Sequence, residues 1–247
     1  MPTSVPALTT TPSPSPVHAP KPPAASDQPS LTVKASPLPT PSPTTETTAR
    51  FSIDLYAKGA FASEATKYYC VPAAIEVMEN LIGGRPYDTS RSKQDRLYAL
   101  ARSYLFKPFF GRDGAQPEGW AEALNADGYG KYEVWTRDDK KAAIEAAARQ
   151  LRLTGKPVGL LVWAGFHAWV LSGFTSIGDP AKGDFTVTGL YVEDVWWPRP
   201  DTSWGPSPEP DTLLSVANFE HYFLPFRQRH EGGPDKNGKF VVIVPTS

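Results

Sequence analysis

The sequence predicts an α+β domain in which helices come first and a mostly antiparallel sheet follows. Three observations carry that expectation. Apolar residues recur at helical spacing through the first part of the globular region, the pattern changes to short apolar runs after Lys156, and glycines close several of the segments.

The first segment is a different material. Residues 1–48 are rich in Pro, Thr and Ser, as in "TTTPSPSPVHAPKPP", and hold almost no large apolar side chains. Such a stretch cannot bury enough surface to offset its ordering entropy, so it reads as a disordered, extended linker or stalk of the kind that carries O-linked sugars. A stalk implies an extracytoplasmic or cell-envelope setting. It also calls for an anchor upstream of Met1 or an unconventional export route, because no signal peptide is visible and no run reaches the roughly 20 apolar residues of a membrane span. Residues 49–247 form the folded domain.

Within it, Ala73, Ala74, Val77, Met78, Leu81 and Ile82 recur at helical spacing, and Gly83-Gly84 ends the run. Pro72 fits the first turn of that helix, where a missing N–H costs nothing. A second helix is expected over 90–104 and a third over 117–126, stopped by Gly128. A fourth opens with Asp138 as N-cap, turns Ile144, Ala147, Ala148 and Leu151 inward, and closes at Gly155. Strands follow: "PVGLLVWA", then "HAWVLSGF" after a turn at Gly165, "DFTVTGLYVED", and "KFVVIVP". The proline-rich "VWWPRPDTSWGPSPEPD" excludes regular structure, a short helix is expected over 212–222, and "DKNGK" reads as a hairpin turn.

A net charge of −1 marks no nucleic-acid partner. A single cysteine, Cys70, excludes an internal disulfide. The four histidines are scattered and no metal-ligand spacing is visible, so no metal and no cofactor is expected. Cys70 does stand where a helix begins, and His167 opens a strongly apolar strand. Asp194 ends the next strand, where antiparallel pairing can bring it beside His167. A helix N-terminus and a nearby imidazole both favour a thiolate, and a carboxylate can fix the tautomer of the imidazole. Taken singly, each residue has a plainer reading: a small buried thiol, a core histidine, a loop cap.

The stretches "FASEATKYYCVPAAIEVMENLI", "PEGWAEAL", "TGKPVGLLVWAGFHAWVLSGF" and "YVEDVWWP" together resemble the C39-like branch of the papain-like cysteine peptidases, and more closely a group of actinobacterial C39-like proteins. The resemblance covers most of residues 51–200. It implies a papain-like fold, with Cys70 as nucleophile, His167 as general base and acid, and Asp194 as the orienting acid. It further implies that peptides or wall peptides are the substrate. Two positions depart from the family. Where it has a glutamine that donates to the oxyanion, this chain has Glu64, which when ionised would repel the developing charge. Where it has proline after the aspartate, this chain has Val195. The other readings are a catalytically degenerate domain that binds peptide or wall polymer, and a peptidoglycan amidohydrolase. Trp169, Trp196 and Trp197, with Trp204, are candidates for the wall of a substrate cleft, since such clefts are commonly lined by rings.

Overall fold

The computed structural model describes residues 49–105, 113–200, 205–227 and 234–247. The linker assigned to residues 1–48 lies outside these, as does Trp204. Among the described residues the order is β1 (Arg50–Asp54), α1 (Cys70–Gly83), α2 (Arg91–Ser103), α3 (Pro117–Ala126), β2 (Tyr132–Arg137), α4 (Lys140–Thr154), β3 (Val158–Val162), a 3₁₀ turn (Trp163–Gly165), β4 (His167–Ile177), β5 (Thr186–Asp194), β6 (Thr212–Ser215), α5 (Val216–Phe219) and β7 (Phe240–Pro245). The class is α+β, and no described helix is long and apolar enough to cross a membrane.

The helix ends follow local chemistry. Ser90 caps α2 by accepting from the N–H of Lys93, and Pro117 occupies the first turn of α3. The cap of α4 is Asp139 rather than Asp138: its carboxylate accepts from the N–H of Ala142 at 2.8 Å, and left-handed Gly155 (φ 65°) ends the helix. The helix expected over 212–222 is instead strand β6 followed by the single turn α5.

All strand pairs are antiparallel, in the order β2-β7-β3-β4-β5-β6, with β1 beside β4. The long strand β4 organises the sheet. Its first half pairs with β3 and its second half with β1 along one edge, while β5 takes the other. Alternation along β4 divides the core. Ala168 and Val170 pack with α1, α2 and α3, whereas Trp169 and Leu171 join the cluster built on α4. The sheet is therefore covered on both faces, and the first residues of α1 and β4 meet at one end.

Two glycines let helices approach closely. A Cβ on Gly159 of β3 would strike the ring of Trp120 from α3, and one on Gly119 of α3 would strike the backbone carbonyl of Ala101 in α2. Backbone cannot swing aside as a side chain can. Gly119→Ala should therefore lower stability by about 1–3 kcal/mol, the usual cost of overpacking, seen as a clear fall in Tm. An unchanged Tm would show that α2 and α3 can part at no cost.

Candidate active site

Cys70 is the first residue of α1, preceded by Tyr69, which offers no side-chain cap. Backbone N–H groups face the sulfur from two elements: that of Ala168 in β4, and those of Val71 and Cys70 itself at the start of α1, favour the charged form. They do not prevail. Burial pushes the thiol up to about 12, and the charge of Glu64 pushes the same way. This reverses the sequence expectation of a thiolate favoured by the helix start. Although the residue as a whole is only half-buried, atoms pack densely around its sulfur. Cys70 thus rests as a protonated thiol with limited access.

His167 begins β4 directly after a turn held in an uncommon conformation. Trp163 and Ala164 have φ of 55° and 58°, and Gly165 follows at 85°. Left-handed backbone at a residue other than glycine costs of order 1–3 kcal/mol, so the turn must be held from outside. The N–H of Trp163 donates to the carbonyl of Tyr222 at 2.8 Å, the N–H of Arg227 donates to the carbonyl of Ala164 at 3.0 Å, and the ring of Phe226 fills the space where Gly165 lacks a Cβ. The turn places the indole of Trp163 flat against the imidazole, with centroids 4.3 Å apart at 22°, and Trp196 meets the same ring edge-on at 6.3 Å.

The register of the sheet supplies the third member. Trp169 lies opposite Asp194, so Asp194 is the diagonal neighbour of His167 across β4 and β5. His167 Nε2 is 2.6 Å from Asp194 Oδ1, with both side chains buried. An acceptor at Nε2 places the proton there and leaves Nδ1 as the basic nitrogen. Asp194 is held in turn: Oδ1 accepts from the N–H of Trp196 at 2.9 Å, and Oδ2 from the hydroxyl of Ser207 at 2.5 Å. Ser207 has no signal in the sequence beyond membership of a proline-rich loop.

Glu64 is fixed by its backbone. Its N–H donates to the carbonyl of Val195 at 2.8 Å. Gln94, buried on α2, accepts from the N–H of Ala65 at 2.8 Å and donates to the carbonyl of Ser63 at 3.0 Å and to Glu76 Oε2 at 2.7 Å. Ser63 in turn donates its hydroxyl to the carbonyl of Trp197. The Glu64 carboxyl itself is 1 % exposed; Oε1 lies 3.5 Å from Nη1 of Arg199, and Oε2 has no hydrogen-bond partner among the described residues. Burial raises its pKa to about 8, against the pull of Arg199 and with some help from Asp194. At neutral pH the group is therefore mostly protonated and can donate, which removes the repulsion expected of an ionised glutamate.

One donor atom each of Glu64, Cys70 and His167 lie within 4.8 Å of one another. No spacing motif in the sequence marks this cluster, because a loop, a helix start and a strand start contribute one group each. A correction concerns Trp169. It is fully buried against Phe219 and Tyr222, a core residue and not a cleft wall. Trp196 and Trp197 are half-buried: Arg199 lies over the Trp196 ring at 5.4 Å, and Trp197 meets Phe61 edge-on at 6.2 Å. The chain matches no protein-family model, and a comparison with curated proteins finds no match.

Buried carboxyls also occur along α1 and in β5. Burial raises Glu76 and Glu79 to about 7 and Glu193 to about 8, although Gln94, Lys93 and Ser172 respectively oppose the shift. Each folded pKa lies above the unfolded one, so each group's contribution is complete below about 4.5 and is lost as pH rises through 7–8. Melting temperature should accordingly be highest in mild acid and decline between about pH 5 and 8, with a shallower decline in Glu193→Gln. A flat or rising profile from scanning fluorimetry over that range would contradict neutral burial.

Proposed function

We propose that the domain is a thiol hydrolase of the papain-like kind, similar to the C39-like branch, cleaving peptide or amide bonds at the cell envelope. One observation carries this reading: the 2.6 Å bond from His167 to Asp194, with Cys70 and Glu64 gathered within 4.8 Å of the imidazole.

The chemistry runs from these groups. Cys70 Sγ attacks the carbonyl carbon as its proton passes to His167 Nδ1, and Asp194 steadies the imidazolium. Negative charge grows on the carbonyl oxygen. The neutral carboxyl of Glu64 and the N–H groups at the start of α1 are the donors for it. His167 then gives its proton to the leaving nitrogen, the C–N bond breaks, and water releases the acyl group from sulfur. Because the thiol is raised to about 12, proton transfer and attack go together and no ion pair is stored beforehand. The same raised thiol favours a second reading, a cleft that binds peptide or wall polymer without turnover.

The full chain, treated with an active-site-directed thiol electrophile and mapped by mass spectrometry, should carry the label on Cys70. His167→Ala should abolish labelling of the folded domain and, because it strips buried Asp194 of a partner, should also lower Tm. Labelling that occurs only after denaturation defeats the hydrolase reading, and labelling without hydrolysis of any peptide supports the second one. In an active enzyme, Glu64→Gln preserves a neutral donor and should stay within a few-fold of wild type. Glu64→Ala removes it and should lose about a hundred- to a thousandfold in kcat.

A further inference from the structure

We propose that Glu64, Cys70 and His167 form a three-ligand site for a thiophilic divalent cation, zinc above all, whose occupancy takes the nucleophile out of action. The inference uses the same side chains as the hydrolase reading and does not require turnover.

The donor set comes first. A thiolate, an imidazole and a carboxylate suit zinc, and three protein ligands leave a fourth tetrahedral position open. Magnesium and calcium need shells of oxygen ligands that one carboxylate cannot supply. Geometry agrees. Zinc bonds of about 2.0–2.3 Å separate tetrahedral donors by about 3.4–3.6 Å. The three atoms here, already within 4.8 Å of one another, need to close by about 1.4 Å at most.

The surroundings point the same way. Asp194 binds Nε2 of His167 and so leaves Nδ1 as the ligating nitrogen, the carboxylate–histidine arrangement that orients imidazoles on metals. That carboxylate is itself held by Ser207 and by the N–H of Trp196. Among the described residues, Glu64 Oε2 has no hydrogen-bond partner, in a side chain only 1 % exposed. A buried polar atom in that condition needs an explanation, and a bound ion is one. A divalent cation would also match two anionic ligands, carboxylate and thiolate, in a region that otherwise penalises each of them. Arg199 is the resident competitor, but its side chain is 42 % exposed and its 3.5 Å contact to Oε1 is long, so it can withdraw. With the metal bound, Sγ and Nδ1 are both occupied. Neither attack nor proton transfer can begin.

The test titrates the chelator-stripped full chain with cobalt(II), whose spectrum reports thiolate ligation. One equivalent should produce a sulfur-to-cobalt charge-transfer band and the visible bands of a four-coordinate ion, and zinc should erase both. Cys70→Ser should abolish the charge-transfer band. Glu64→Gln should weaken binding by about tenfold or more, as expected when a supporting or ligating group is lost; Glu64→Ala serves if that variant does not fold. Zinc should also slow alkylation of Cys70 in the wild type. No charge-transfer band up to millimolar cobalt overturns the proposal, and so does an affinity unchanged by loss of Glu64. Hydrolysis assayed in chelator tests the enzyme reading separately, so either idea can fail while the other stands.

Discussion

The buried hydrogen bond between His167 and Asp194 is the constraint around which one end of the domain is built. A carboxylate with no exposed surface is costly unless its lone pairs are used, and removing one partner of such a pair is costlier still. Asp194 meets that demand through three donors: an imidazole from the neighbouring strand, the N–H of Trp196, and the hydroxyl of Ser207. Each donor dictates geometry elsewhere. The imidazole needs the β4–β5 register, with Trp169 opposite Asp194. The N–H of Trp196 requires the chain to turn at once after β5. Ser207 requires the segment after residue 204 to come back over the strand end.

Electrostatics at the site follow from that same enclosure. In open solvent Glu64 would be anionic at neutral pH, and Cys70 would gain from the helix start. Enclosure reverses both tendencies, leaving a neutral carboxyl and a reluctant thiol. On the metal proposal, a proton and a metal ion would be rivals for one set of lone pairs.

Much of this was legible in the residues. The periodicity of Ala73 to Ile82, the proline at the start of α3 and the run from His167 fixed the principal helices and the central strand. Cys70, His167 and Asp194 could be picked out because a helix start, a strand start and a strand end are themselves visible. What escaped reading was whatever depends on distant partners. β1, β2 and β6 are short and half-exposed, and only pairing to β4, β7 and β5 makes them strands. Gln94 looks like one polar residue among many on a polar helix, yet it holds the backbone on either side of Glu64. The burial of Trp169 could not be inferred from its neighbours, because Phe219 and Tyr222 arrive from beyond the proline-rich loop.

The way residue 64 is secured bears on how such a domain can change over time. Its own N–H holds the carbonyl of Val195, and Gln94 grips the peptide groups of Ser63 and Ala65. The side chain at 64 contributes to none of these bonds. Selection for folding therefore has little hold on it, while its position beside the sulfur gives it full weight in the chemistry. One codon can change a donor into an acid, or an acid into an inert filler, and leave the scaffold standing. On the readings proposed above, a change at that single site would be enough to move the domain between hydrolysis, metal capture and mere adhesion.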